Sequence, residues 1–287
     1  FAGFAMAAVA FLVLRMPEAR RVTGAEPPPF PYAALATLAG AVILIAFAGV
    51  DVSPYRSTAL FVAGVIGLAL FFRVDALMPR SRLFPRRPFD WSTSLGAGMT
   101  MVATLSVSTV SFAIYAPLLL TSLHGIPVLT VGYIIAAESI AWSILSILVA
   151  GAPPRHERMI IVGGAFMIAA GLAGFSIAIP AGNIPAILFC ALLQGGGFGI
   201  AWPFATRIIV ASAPAEESTI ASSAVPAMQR IGYATGAAAA GIVANASGFA
   251  DGLTGDSAAN VARWLFLAFL PLALVGCAAA VRMSRVK

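Results

Sequence analysis

Nine long runs of Ala, Val, Ile, Leu, Phe and Gly, parted by short polar links, dominate this chain of 287 residues. They cover roughly 1–14, 32–50, 57–72, 92–121, 127–150, 159–180, 184–212, 224–246 and 262–281. Most hold the roughly 20 apolar residues with which a helix crosses about 30 Å of hydrocarbon. At 60% hydrophobic and 10% charged residues, with a mean hydropathy of +0.97, the chain has too little polar surface for a water-soluble fold of its size. Backbone groups in lipid must be satisfied within their own segment, and no run shows the alternation of a membrane barrel strand. The expected fold is therefore an all-α polytopic membrane protein.

The charges orient it. The link after the first run carries Arg15, Arg20 and Arg21, and the third link carries Arg73, Arg80, Arg82, Arg86 and Arg87. The same side receives Arg155 and Arg158, then Arg282, Arg285 and Lys287, whereas the opposite side holds only Arg56 and Arg263. The positive-inside rule makes the rich side cytoplasmic, the C-terminus included, in a multi-pass protein of the cell membrane, a bacterial inner membrane being the expected one. The net charge of +6 is thereby an orientation signal, and no nucleic-acid partner is expected.

The run 1–14 would extend about 21 Å as a helix, short for a span. Arg15 follows its apolar core instead of preceding it, which argues against a signal peptide. It reads as the truncated end of a transmembrane helix, with upstream helices expected. Residues 15–90 then form cytoplasmic links and two transmembrane helices. The link RVDALMPRSRLFPRRPFD, with three prolines and five arginines, is the strongest internal boundary. Beyond it, 91–287 form a block of six helices that starts and ends in the cytoplasm, the repeating half of a common transporter architecture.

Glu138, in VGYIIAAESIAWSIL, is the one acidic residue at hydrocarbon depth. An ionised carboxylate there is costly, so it faces a cavity, pairs with a cation, or is protonated. It is the candidate for proton or cation handling. Trp142 lies one helical turn further on the same face, and the two offer a carboxylate beside a flat aromatic surface, suited to a lipophilic cation. Tyr115, Gln194 and Trp202 are further candidates for a cavity wall. Arg207, in AWPFATRIIVASAP, either snorkels to the cytoplasmic surface or lines the cavity, where it would counter an anion or tune Glu138. Gln229, Arg230 and Tyr233, in PAMQRIGYATG, either reach the cavity or lock a neighbouring helix.

Small residues gather in QGGGFGIAWP and RIGYATGAAAAG. Gly195 with Gly199, and Gly232 with Gly236, have the GxxxG spacing that lets helix backbones approach closely. The first run is not a nucleotide loop, having neither a preceding strand nor the GxxxxGK[ST] pattern. Pro117, Pro203, Pro226 and Pro271 mark kinks. Glu216 and Glu217, ahead of Ser218 and Thr219, either favour the start of the next helix or pair with Arg155 or Arg158 across a cytoplasmic gate. Asp251 and Asp256 belong to an outer loop. Cys190 and Cys277 read as small core residues, and His124 and His156 lie on opposite sides of the membrane, so no metal site is expected.

Two stretches carry a family likeness. DALMPRSRLFPRRPF, with Leu77, Met78, Pro79, Leu83, Phe84 and Phe89, resembles the connection into the second half of major facilitator superfamily transporters. GGGFGIAWPFATRIIVASAPAEESTIASSAVPAMQRIGYATG resembles their tenth and eleventh helices, through Gly195, Gly197, Gly199, Pro203, Pro214, Glu216, Ala221, Ser222, Arg230 and Gly232. The chain is most similar to the fourteen-helix branch of proton-coupled drug antiporters. Windows 32–50 and 57–72 match the two helices inserted between the halves, and 1–14 matches the end of the sixth helix. The basic loop motif of each half persists as Gly151, Arg155 and Arg158 in AGAPPRHERM, without its usual Gly-Arg ending.

The resemblance implies a partial major facilitator fold: two inserted helices followed by the six-helix C-terminal half. It also implies alternating access, with small amphipathic compounds exported against inward proton flow. The expected partners are membrane lipids, a small-molecule substrate and an N-terminal six-helix half of the same polypeptide. No cofactor is expected, the proton gradient being the energy source. An enzyme is disfavoured, since one buried Glu and two separated histidines do not make a catalytic constellation. A noncatalytic membrane scaffold or degenerate transporter subunit is the remaining alternative.

Overall fold

A computed structural model describes residues 11, 29–50, 53–249 and 255–285. Phe1–Phe30 forms a unit of its own, and the truncated helix expected over 1–14 lies, apart from Phe11, outside the described residues. So do Asp251 and Lys287. The second unit, Pro31–Lys287, carries the helical bundle.

Among its described residues nine α-helices succeed one another: α1 (Tyr32–Val50), α2 (Pro54–Ala76), α3 (Ser94–His124), α4 (Val128–Val149), α5 (Pro154–Ala178), α6 (Ile184–Ala211), α7 (Ser218–Ala246), α8 (Gly255–Leu267) and α9 (Leu270–Arg285), with a short 3-10 turn at Ala215–Glu217 before α7. This is an all-helical, polytopic membrane architecture, with seven helices among the described residues long and apolar enough to cross a bilayer. Local chemistry sets several ends. Thr93 accepts the Gly96 N–H at the start of α3, and Gly125 closes that helix at φ 62°. Asn183 accepts the Ala186 N–H at the start of α6.

The expected single window 262–281 is corrected in two respects. Its helix begins earlier, at Gly255, the chain being helical already through the polar stretch that precedes the apolar one. It also breaks between Leu267 and Leu270. Pro271 has no N–H to return to the Leu267 carbonyl, and the chain crosses the gap through Phe269 N–H to Phe266 O and Ala273 N–H to Phe269 O. Together α8 and α9 still make one span, counted from Ala258 to Arg285. By contrast Pro117, Pro203 and Pro226 are carried inside continuous helices.

Helix α7 is not among the seven apolar spans. Serines, threonines, Gln229 and Arg230 dilute its apolar content, and it compensates by packing: it lies against α3, α1 and α6. Gly232 meets the Ser106 side chain, and Gly236 meets the Val107 carbonyl, so a Cβ at either would strike α3. The α1–α2 hairpin packs on α7, mainly through α1. Helix α6 runs between α5 and α4. A Cβ at Gly195 or Gly199 would strike the backbone carbonyl of Glu138 or Trp142, so these two glycines bring the α6 and α4 backbones close together. Ser146 adds a hydroxyl bond to the Gly199 carbonyl at 3.0 Å. Deep in the bundle Phe112 stacks on Phe175 with ring centroids 4.1 Å apart.

Among the described residues, basic side chains of the link after α2, of the start of α5 and of the end of α9 are engaged at one end of the bundle. The link after α2 is folded onto the bundle: Asp75 accepts the backbone N–H groups of Leu83 and Phe84 at 2.7 and 3.0 Å. Phe84 is buried against Phe71 and Phe72, and Phe89 packs edge-on to Phe72. Arg82 pairs with Glu217 of the α6–α7 turn. At the same end Arg158 donates to the Ser284 carbonyl, and Arg282 to that of Trp91. At the opposite end His124 Nε2 lies 2.7 Å from the Ile179 carbonyl oxygen.

Candidate functional site

Four helices line a cavity of about 270 Å³ in the helical bundle. Helix α3 contributes Thr109, Val110 and Ala113; α4 contributes Glu138, Ser139 and Trp142; α6 contributes Gln194 and Phe198; α7 contributes Tyr233. The spacing follows the helical repeat: Glu138 and Trp142, and Gln194 and Phe198, each stand one turn apart and share a face. The glycine contacts between α4 and α6 set the azimuth at which these two faces meet.

Glu138 is half-buried and, among the described residues, is the only charged one lining the cavity. Its Oε1 accepts a hydrogen bond from Gln194 Nε2 at 2.8 Å. Gln194 is itself only 1% exposed. One turn along, the Trp142 indole stacks on Phe198 at 4.9 Å with the planes 10° apart, and Trp202 packs against both rings. Tyr233 faces this wall from α7, its hydroxyl accepting from Gln229 Nε2 at 2.9 Å. The site thus presents one carboxyl group, a phenol and an aromatic slab, together with the Gln194 amide and the hydroxyl-bearing Thr109 and Ser139.

The sequence candidates divide. Glu138, Trp142, Gln194 and Tyr233 line the cavity; Trp202 and Gln229 support it from behind. Arg230 is exposed and outside the lining. Tyr115 is also outside it, meeting Phe249 edge-on at 6.1 Å. Arg207 is neither in the cavity nor near Glu138: it forms an ion pair with Glu157, in the first turn of α5, and its guanidinium carbon lies 5.2 Å from the centre of the Phe204 ring. The pair is asymmetric, Glu157 being 9% exposed and Arg207 56%.

The gate candidates are also separated. Glu217 pairs with Arg82 and accepts the Arg86 N–H, rather than meeting Arg155 or Arg158. The reason is geometric: the link after α2 folds across the α6–α7 turn and reaches Glu217 first. Glu216 is exposed and lines a surface crevice of about 380 Å³ with Arg86, Arg87 and Ser212. Gly151 and Arg155 are exposed, and Arg158 is engaged with Ser284.

Phe198 and Glu157 are not among the residues that the sequence singles out. Phe198 has a usable signal, since it stands one turn beyond Gln194 on the same helix. Glu157 has one too: an acid in the first turn of a span, at the end of the bundle where Arg207 emerges. Thr109, Val110 and Ala113 have none, being small residues on a long helix that buries most of its surface.

A helical bundle with several membrane-spanning helices and a half-buried carboxyl in a cavity between four helices defines a polytopic membrane protein. Residues 99–286 match the Major Facilitator Superfamily, and the chain belongs to that family. It is 29% identical over 261 residues to two proteins of Mycobacterium tuberculosis named "Probable multidrug-efflux transporter", from strains CDC 1551 and H37Rv. The match covers 86% of this chain and 51% of each relative. The chain spans about half the length of these curated relatives.

Proposed function

We propose that this chain forms the second half of a proton-coupled secondary transporter of the fourteen-helix branch, which exports small amphipathic compounds by alternating access. Helices α1 and α2 are the inserted pair, and α3 to α9 the C-terminal six-span half. A further six-helix half of the same polypeptide completes the cavity, a reading supported by the relatives' greater length. The substrate class is a lipophilic cation, for which the Glu138 carboxylate supplies charge and the Trp142–Phe198 slab a flat surface. The end carrying the basic links, with the C-terminus, faces the cytoplasm.

The observation that carries this reading is the position of Glu138. Among the described residues it is the sole charged one in a cavity shared by four helices, and carboxyl groups at such depth mark ion and substrate pathways. The test is pH-gradient-driven uptake of a fluorescent lipophilic cation into inverted vesicles containing the full-length protein. Glu138→Gln should lower uptake at least tenfold at equal protein in the membrane. Unchanged uptake across the gradient would reject the proton role, and no uptake by the parent protein would favour a scaffold.

A further inference from the structure

Gln194 holds a buried polar atom that lacks a partner. Its Nε2 donates to Glu138 Oε1 at 2.8 Å, while its own Oε1 is buried without a hydrogen bond. Buried acceptors in proteins are nearly always satisfied, and an exception at a functional site calls for an explanation. The chemistry of the two groups supplies one. An ionised carboxylate is an acceptor only, so a primary amide can offer it N–H and nothing else; the amide oxygen is left over. A protonated carboxyl gains an O–H donor. The amide and the acid can then close a two-point ring, with Nε2–H bonding to the acid carbonyl and the acid O–H bonding to Oε1.

We propose that Gln194 receives the proton-bearing oxygen of Glu138, so that protonation converts a single hydrogen bond between α4 and α6 into a two-point acid–amide pair. The inference rests on the reading of Glu138 as a proton site and assigns Gln194 as its positioning residue. The terminal torsions of Glu and Gln side chains are broad, so the two planar groups can lie edge to edge without leaving their rotamers. The backbones are already held close, because Gly195 sits against the Glu138 carbonyl.

Among the described residues no other ionisable group competes closely for the proton. Helix α4 packs against α6 and α3. From α3 no ionisable side chain lines the cavity; from α6 only Gln194 reaches the carboxyl, since Arg207 is held by Glu157; from α7 the Tyr233 phenol faces it, with Arg230 a turn earlier and outside the lining. In the two-point state every polar atom of the Glu138–Gln194 pair that is buried acquires a partner. In the ionised state one acceptor goes without, and the carboxylate keeps an oxygen free for a cation or water in the cavity. Proton and cation are thereby made alternatives at one pair of side chains.

Infrared difference spectroscopy on the protein in lipid bilayers tests this directly. Glutamine occurs in this chain at positions 194 and 229, and labelling the glutamine side-chain carbonyls with carbon-13, with the parent spectrum compared to that of Gln194→Met, assigns the band of the group of interest. On acidification a carboxylic-acid band should appear that is lost in Glu138→Gln. A labelled glutamine carbonyl should fall in wavenumber over the same pH interval. That second shift should vanish in Gln194→Met, which keeps the side-chain length, and in Glu138→Gln. A Glu138 acid band with an unmoved Gln194 carbonyl would overturn the pairing and leave the proton site standing. No acid band attributable to Glu138 at any pH where the protein stays folded would overturn both.

Discussion

The Arg82 guanidinium lies 2.9 Å from the Glu217 carboxylate, joining the link after α2 to the residue immediately before α7. Both side chains are nearly buried, at 13% and 11% exposure. The contact is one of charge more than of aligned hydrogen bonding, for neither Arg82 Nε nor Nη1 has a hydrogen-bond partner. The second Glu217 oxygen accepts the Arg86 N–H. The α1–α2 hairpin is thus anchored to the start of the helix that carries Tyr233.

This pair gives a prediction with a built-in control. Removing one charge, by Arg82→Met or Glu217→Gln, leaves the other nearly buried and should cost about 3 kcal/mol. The double variant Arg82→Met with Glu217→Gln should lose less than the sum of the two single changes, because neither charge is left stranded. Thermal unfolding in detergent measures all three, and strictly additive losses would show that the two residues act independently.

The α4–α6 seam predicts opposite outcomes for one kind of substitution. Gly195→Ala places a methyl group against the Glu138 carbonyl and should destabilise by about 1–3 kcal/mol, the cost of overpacking. Gly163→Ala, on α5 where nothing lies within 4 Å, should be neutral or stabilising by about 0.5–1 kcal/mol, as expected for replacing a helical glycine. Comparing their melting points, and the transport of each, separates close packing from general helix propensity.

Trp142 should report the state of the cavity. It stacks on Phe198 and stands one turn from Glu138. A bound lipophilic cation should quench its emission, and Trp142→Phe should retain most binding while Trp142→Ala loses about tenfold, the loss of a desolvated cation–π contact of about 1–2 kcal/mol. The quench must disappear in Trp142→Phe. If it persists, the signal comes from another tryptophan, Trp91, Trp202 or Trp264 within this chain.

Asp90 carries a pH dependence outside the spans. The Ser92 hydroxyl and backbone N–H both donate to its carboxylate, and together with the nearby Arg87 they hold its pKa below the ordinary 3.8. A lowered folded-state value means that its stabilisation is fully present above about pH 4, the unfolded value, and is lost as pH falls through the folded one. The difference in melting point between the parent protein and Asp90→Asn should therefore be constant at neutral pH and shrink only in strong acid. A difference that changed near pH 6 would implicate another group.

Much of the fold was legible because a bilayer leaves few choices. Runs 127–150 and 184–212 became α4 and α6 within a residue or so, since apolar length and the need for internal hydrogen bonds settle such helices. The site was legible by residue and not by pairing. Glu138 and Gln194 could each be picked out as polar groups in apolar runs, yet whether they meet depends on the rotation of α4 against α6, fixed by Gly195 and Gly199. Arg207 shows the converse. Its charge left both snorkelling to the cytoplasmic surface and a cavity role open, and the sequence offered no measure of depth fine enough to reveal that Glu157, at the same end of the bundle, lay within reach. Pro271 could be read as a kink, while the full break there depends on how α8 and α9 pack against the rest of the bundle.

The low apolar content of α7 bears on how the protein is made. A segment with Gln229 and Arg230 near its start and few large aliphatic residues gains little by entering lipid alone. Its seams with α1 and α3 are ready before it emerges, because those helices are synthesised first. Helix α7 is therefore expected to enter the membrane as a late guest of helices already inserted. Substitutions on α3 at Ser106 or Val107, where α7 packs, should then surface first as failures of assembly in the membrane.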